Sequence, residues 1–404
     1  MRVLSFSSCF PSSRNPTQGI FVLRRLAALA RQVDLEAVHP DGWFPVIRRP
    51  GRTAKQEHLC GVLVHHRSFL YFPGILKRFD GRLYASGLRR WVAEYRASHP
   101  IDLMDAHFVW PDGVAVSHLA KRLGLPYTVT LRGTINPRYR NPAFRDQIAS
   151  ALRGASAVIS VSRQMAKIAA ELDVSPERIH IIPNGVDLDV FSPIPRPAAR
   201  QSVGLDSNRA LIVSVGYVIP QKGFTELIEA MTRLPDDVRL VIIGSNCEHG
   251  SYARRLRRLI RDRGLTDRVT FAGTQPQETV ATYFSAADVS VLASHSEGCP
   301  NVVLECLACG TPVVATRVGG APDMIQPGEN GELVAPKDPD QLAKAMRLAL
   351  NREWSREAIR GTVANRSWDA VAAEVLVVWR EVHNRKTADQ EVSRPRSGEP
   401  ADID

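Results

Sequence analysis

Cysteine is scarce, with six residues in a chain of 404, and so few thiols in so long a chain do not make a disulfide framework. Cys306 and Cys309 lie inside an apolar stretch with no second pair of ligands beside them, so they read as buried thiols and not as a metal site. Long hydrophobic runs are missing too. No stretch of about 18 apolar residues occurs, which excludes a membrane-spanning helix. The opening "MRVLSFSSCFPSSRNP" has only a short apolar run broken by Ser and Pro, so no secretory leader is expected and the expected location is cytoplasmic. An Asp-x-Asp cluster at a strand end is also lacking. Neither a metal nor any other cofactor is therefore expected.

What is present is the composition of a globular protein, 44% hydrophobic and 23% charged, and the length suggests about two domains of roughly 150 to 200 residues. The net charge of +10 is uneven. Residues 1–190 hold 26 Lys and Arg against 15 Asp and Glu, a net of +11, and the remainder holds 26 against 27, a net of −1. The basic residues are dispersed and no nucleic-acid motif accompanies them, so nucleic acid is not an expected partner. The stretch "FPGILKRFDGRLYASGLRRWVAEYR", Phe72 to Arg96, interleaves aromatics and Leu with Lys77, Arg78, Arg82, Arg89 and Arg90. That pattern suits an anionic membrane surface, here the inner face of the cytoplasmic membrane. It equally suits a helix whose apolar face packs on its own domain.

Short apolar runs alternate with amphipathic stretches from end to end. "RVLSF", "DLMDAH", "YTVTL" and "AVISVS" read as strands in the first half, and "ALIVSVG", "RLVIIGS", "RVTFAG", "DVSVLAS" and "PVVAT" in the second. Continuous Val, Ile and Leu runs joined through helices predict two doubly wound α/β domains with parallel sheets covered on both faces. The Pro- and Asn-rich "IIPNGVDLDVFSPIPRPAARQSVG" reads as the connection between them. The expected divisions are 1–186, 187–366, a C-terminal helix over 367–385, and a disordered polar tail over 386–404.

Ligands of doubly wound sheets bind at the carboxyl ends of strands, and "ASHSEGCPNVVLECLACGTPVVAT", Ala293 to Thr316, holds such an end. Pro300 is placed at the first helical position, and Gly310 with Pro312 ends the helix. Glu297 then lies in the loop with Gly298, and Glu305 in the second turn. Backbone amides at Asn301, Val302 and Val303 are expected to be open to an anion, with a carboxylate on either side able to accept hydroxyl hydrogen bonds. Phosphate flanked by polyols is a nucleotide sugar. Glu305 is assigned to the ribose and Glu297 to the sugar being moved. "VSVGYVIPQKGF" adds Gly216 at a strand end and Lys222 as a point charge for a diphosphate, and "IIGSN" adds Gly244, where a missing side chain lets a nucleotide approach.

With these motifs together, the chain resembles the retaining glycosyltransferases of family 4, the glycosyl transferases group 1, over about Val3 to Val382. "EGCPNVVLE" with "ACGTPVVAT" is similar to that family's donor signature, "GYVIPQKGF" to its phosphate loop, "PNGVD" to its interdomain linker, and "NPTQGIFVLRRLAALA" and "DAHFVWPDG" to its glycine loop and histidine-bearing strand end. The resemblance implies a GT-B fold, two Rossmann-like domains across a cleft with the C-terminal helix packing back on the N-terminal one. It further implies hexosyl transfer with retention to a saccharide or lipid-linked acceptor in polysaccharide, lipopolysaccharide or glycolipid synthesis. Gly19 would lie near the donor diphosphate, His107 would face the transferred sugar, Lys222 and Glu297 would act in catalysis, and Arg132 would serve the acceptor side. Tyr217 stands where the family commonly has Arg, and no acidic residue follows "LRG" before Asp146. Two alternatives are a nucleotide-sugar epimerase and a binding protein that has lost catalysis.

Overall fold

The computed structural model describes residues 1–12, 18–44, 54–205, 209–245 and 250–392. These divide into two units. The first comprises Met1–Ser160, Ala166–Ile182 and the chain from Ala372 onward, and the second Val161–Met165 and Pro183–Val371.

In the first unit the elements run β1 (Arg2–Ser7), α1 (Ile20–Ala30), β2 (Asp34–Trp43), β3 (Gln56–Leu59), β4 (Val62–Leu70), α2 (Asp80–Ser98), β5 (Leu103–His107), α3 (Val114–Leu123), β6 (Tyr127–Leu131), α4 (Pro142–Arg153), β7 (Ala157–Ser160), α5 (Arg163–Glu171) and β8 (Ile179–Ile181). Among the described residues the sheet order is β3-β4-β2-β1-β5-β6-β7-β8, parallel except for the β3–β4 hairpin at one edge. That hairpin and β2 escaped the sequence reading. Strand β2 contains Pro40 and Gly42, which read as a turn. Its pairing with β1 ends at Phe6↔Val38, and beyond that point β2 pairs only with β4, so Pro40 removes no ladder bond on the β1 side. The hairpin turns through Cys60 and Gly61, both at positive φ (49° and 81°), the geometry of a tight two-residue turn.

The second unit runs α6 (Arg196–Ser202), β9 (Leu211–Val215), α7 (Phe224–Met231), β10 (Arg239–Ile243), α8 (Ser251–Asp262), β11 (Val269–Gly273), α9 (Gln277–Ala286), β12 (Val289–Leu292), α10 (Asn301–Ala308), β13 (Val313–Thr316), α11 (Ala321–Met324), β14 (Gly331–Val334), α12 (Pro339–Asn351), α13 (Arg356–Gly361) and the start of α14 (Trp368–Val392). Its strand order is β11-β10-β9-β12-β13-β14, with every pairing parallel. Alternate strand residues enter two different cores. Ile212, Leu240 and Ile242 pack on one face, and Leu211, Val213, Val241 and Ile243 on the other. That alternation is what a sheet buried on both faces requires.

Three boundaries differ from the sequence expectation. The last helix continues to Val392, past the expected end at 385, and residues 393–404 lie outside the described residues. The stretch read as connection contains α6, held by Arg200, which donates to the Ala286 carbonyl and to Asp288 at 2.7 Å. Pro300 is the N-cap of α10 and not its first residue. A proline there still costs the helix nothing, because the first amides of a helix have no partner to lose.

Candidate functional site

In the second unit, the sheet order reverses direction on either side of β9, so the crevice at its switch point is bounded by the loops after β9 and β12. Those loops are fastened together. The His295 amide donates to the Gln221 carbonyl at 2.8 Å, and Gln221 Nε2 donates to the Ser296 carbonyl at 2.9 Å. Gly223, at φ +68°, allows the closest approach: a Cβ there would stand 1.9 Å from the Ala293 carbonyl oxygen. On this frame Lys222 Nζ reaches Glu297 Oε1 at 2.6 Å, and Ser294 Oγ donates to the same oxygen at 2.6 Å. The structure thus brings together two predicted residues that lie 75 positions apart in the chain. Both side chains keep some exposure, 21% and 12%, enough for a ligand to reach them.

Gly216 follows β9, and its Cα faces the Lys222 side chain, a Cβ there coming within 3.6 Å of Lys222 Cδ. Gly244 serves first as backbone clearance, since a Cβ at that position would stand 1.9 Å from the Gly216 carbonyl oxygen. The opening of α10 corrects one expectation. The Val303 amide donates to the Pro300 carbonyl at 3.0 Å and is not open to an anion, and the Val303 side chain is fully buried. Val302 packs half-buried against the core, and Asn301 Oδ1 accepts a hydrogen bond from Asn184 Nδ2 at 2.7 Å. The Gly298 carbonyl accepts from the Gly320 amide at 2.8 Å. Glu305 lies in the second turn of α10, half-buried, as its spacing from Pro300 requires. Ser294, Gln221 and Asn184 were missed by sequence reasoning; all three stood inside quoted motifs, but nothing in a one-dimensional pattern shows which atoms they reach.

In the first unit Gly19 caps α1 in the left-handed region (φ 69°), and a Cβ there would stand 2.2 Å from the Cys9 carbonyl oxygen. His107 ends β5 fully buried. Arg132 donates to its Nδ1 at 3.2 Å, and its Nε2 lies 3.2 Å from Asp105 Oδ2. A ring that accepts at Nδ1 carries its proton on Nε2. Burial, ahead of the repulsion from Arg132, pushes the His107 pKa down to about 4 although Asp105 pulls the other way. The ring is therefore neutral, and both its nitrogens are turned toward side chains of its own unit. Arg132 is itself buried, its guanidinium 4.8 Å from the Phe21 ring centroid and 5.8 Å from that of Phe108.

The same unit holds a cavity of about 730 Å3 at the carboxyl ends of β1, β2, β4 and β5, where the strand order switches. Trp110 and Phe144 meet edge to face at 4.9 Å on its wall, and Lys77 Nζ stands 3.5 Å over the Tyr71 ring. Asp41, Asp80 and Arg138 add further charge to the wall, with Ser12, Gln18 and His39 beside them, whereas Arg132, the acceptor-side expectation, is not among the lining residues. Ser8 also lines it, its Oγ fixed at 2.7 Å on Asp112 Oδ2, and complete burial holds the Asp112 pKa well above the usual carboxyl range. The apolar side of α2 is spent inside this unit, with Tyr84, Ala85, Leu88, Val92 and Tyr95 buried. No helix among the described residues is long and apolar enough to cross a membrane.

Comparison with known proteins agrees with this geometry. The family model of glycosyl transferases group 1 matches residues 195–365 and that of glycosyltransferase family 4 matches residues 46–190. The D-inositol 3-phosphate glycosyltransferase of Acidothermus cellulolyticus is 31% identical over 71% of this chain and 69% of its own. TuaC of Bacillus subtilis, named as a glycosyltransferase of teichuronic acid biosynthesis, is 29% identical over 93% of this chain and 94% of its own. Among solved structures, sucrose-phosphate synthase of Thermosynechococcus elongatus superimposes with a TM-score of 0.79 at 24% identity, covering 95% of this chain and all of that one. The chain has the fold class of the GT-B glycosyltransferases and belongs to glycosyltransferase family 4, the glycosyl transferases group 1, and it is a glycosyltransferase.

Proposed function

We propose that the protein moves a hexosyl group from a nucleotide-diphosphate sugar to a hydroxyl of a saccharide or lipid-linked acceptor, with retention of anomeric configuration and without a metal. The observation that carries this reading is the Lys222–Glu297 pair, 2.6 Å apart, on two glycine-bearing loops at the switch point of the second sheet. A diphosphate beside Lys222 would take over the charge that Glu297 now answers, leaving the Glu297 carboxylate to accept hydroxyl hydrogen bonds from the hexose. Lys222 would then stabilise the departing diphosphate as the anomeric carbon becomes cation-like, the part a divalent ion plays elsewhere. Glu305, one turn into α10, would hold the ribose.

The acceptor belongs in the first unit's cavity. Its volume suits a ligand of sugar size, and aromatic faces beside hydroxyl, carboxylate and cationic groups are the chemistry that recognises a polyol. His107, neutral and enclosed, is unsuited to act as a base through its ring; we assign it to holding the end of β5, where Phe108 takes an unusual φ of 76°. In the retaining mechanism the incoming hydroxyl attacks the face the diphosphate leaves, with a diphosphate oxygen taking the proton, so no nucleophile of the protein is required. The name of TuaC supports a place in polysaccharide synthesis. Incubation with isotopically labelled nucleotide hexoses and cell-derived glycolipids or saccharides, with chelator present, tests the proposal. Transfer with the donor's anomeric configuration, read by NMR, is the expected result; isomer released without acceptor would indicate an epimerase, and binding without turnover an inactive protein.

A further inference from the structure

A cavity of about 600 Å3 lies at the amino ends of β6, β7 and β8 in the first unit. The strands there are parallel, so this is the edge of the sheet opposite the carboxyl ends that carry the 730 Å3 cavity. Small residues ahead of β7, Gly154, Ala155 and Ser156, form part of its floor, and Arg178, Arg385 and Lys386 stand on its walls. No carboxylate and no aromatic ring lines it. Part of this positive charge has a structural use. Arg178 Nη1 donates to the Arg153 carbonyl at 3.2 Å, where α4 ends and a cation answers the helix dipole. The end of α3 is answered from elsewhere, by Arg96 on the Leu123 carbonyl. That leaves the two cations of α14. Lys386 is half-buried and makes no ion pair among the described residues. Burial holds its ammonium pKa below the ordinary value, with Asp102 pulling it up and Arg96 pushing it down. Arg385 stands 3.7 Å from Glu381, one turn back on the same helix, and both side chains are exposed. Such a contact is worth little in water. An anion held among Arg178, Arg385 and Lys386 would offset both the burial of Lys386 and the mutual repulsion of the three.

We propose that this cavity is a binding site for a small phosphorylated sugar, with the phosphate among Arg178, Arg385 and Lys386 and the hydroxyls against Ser156. The volume exceeds what inorganic phosphate fills and falls in the range of small-ligand sites. With no ring to stack on, a nucleoside or a neutral sugar has little to hold it, so affinity rests on the phosphate. Helix α14 begins in the second unit, and from Ala372 onward its chain belongs to the first. An occupant would fasten its later turns to the first sheet. The cavity shares no lining residue with the 730 Å3 cavity, and Lys222 lies in the other unit, so the assignment can fail without the donor and acceptor readings.

Titration calorimetry of the full chain tests it, with glucose 6-phosphate, glucose and inorganic phosphate as probes at constant ionic strength. Glucose 6-phosphate should bind, inorganic phosphate more weakly, and glucose not at all. Arg178→Gln, Arg385→Gln and Lys386→Gln combined should weaken glucose 6-phosphate about tenfold, at about twofold for each partly exposed contact. A control with the same loss of charge, Arg255→Gln, Arg258→Gln and Arg261→Gln on α8 of the second unit, should change it little, and Lys222→Ala should keep it. Thermal melts confirm that the variants fold. Absence of binding, equal weakening in the two triple variants, inorganic phosphate bound as tightly, or loss of binding in Lys222→Ala, which would put the phosphate in the donor crevice, would overturn the proposal.

Discussion

The two units are built on the same plan and use their polar residues in opposite ways. In the second unit the charged groups at the strand ends stand on glycine-bearing loops, partly exposed, with Lys222 and Glu297 answering each other across the crevice. In the first, the groups at the equivalent strand ends are enclosed: His107 is kept neutral by burial, and Asp112 is buried with a raised pKa. A site for a diphosphate needs charge that can exchange partners. One for a neutral sugar hydroxyl needs fixed polar groups and aromatic faces, and unpaired charge there would only add desolvation cost. The difference supports the proposal that the donor binds the second unit and the acceptor the first.

The largest expected effect falls on the second unit. Lys222→Ala should lower turnover by about 100- to 1000-fold, or about 2.7 to 4 kcal/mol, the usual cost of removing one preorganised charge stabiliser. Steady-state transfer kinetics check it, and near-normal turnover would erase the distinction drawn between the units.

The first unit should respond to acid. The folded His107 pKa of about 4 lies below the unfolded value of about 6.5. Above pH 6.5 neither state is protonated and the group costs nothing. As pH falls from 6.5 to 4 the unfolded chain binds a proton that the folded one refuses, so about 3 kcal/mol of stability is lost over that window. Denaturant titrations at pH 7 and pH 4 should show a smaller loss for His107→Gln than for wild type. Equal losses would mean that the ring is not held neutral.

A smaller effect sharpens the donor assignment within α10. Glu305→Ala should weaken nucleotide-sugar binding by about 1.5 to 3 kcal/mol, the range for hydrogen bonds to a charged group, while leaving turnover of bound donor nearly intact. Titration calorimetry beside single-turnover rates separates the two.

Much of this was legible in the sequence because it is local. Continuous apolar runs, the proline and glycines bracketing α10, and the spacing of Glu297 from Glu305 all act within one or two turns of chain. What escaped depends on contacts across the fold. Strand β2 was not named from the sequence, because Pro40 and Gly42 break its apolar pattern where it pairs only with β4 beyond Val38. The Val303 amide was taken as open because the first amides of an α-helix lack i to i−4 partners, and it is closed by a tighter i to i−3 bond to the Pro300 carbonyl. The residues of the first unit's cavity run from Ser8 to Phe144 and share no motif. Net charge alone leaves α2 open: the excess in the first half of the chain is real, the apolar side of that helix packs inside its own unit, and Arg82, Arg89 and Arg90 stay exposed.

In the proposed reaction the second unit holds the donor's diphosphate through Lys222 with no metal between them. Calorimetric titration of uridine, guanosine and adenosine diphosphates into the full chain, in EDTA, tests it most directly. One of the three should bind the wild type, with affinity unchanged when magnesium replaces the chelator and largely lost in Lys222→Ala. Binding that appears only with magnesium, or that survives in Lys222→Ala, would contradict the account.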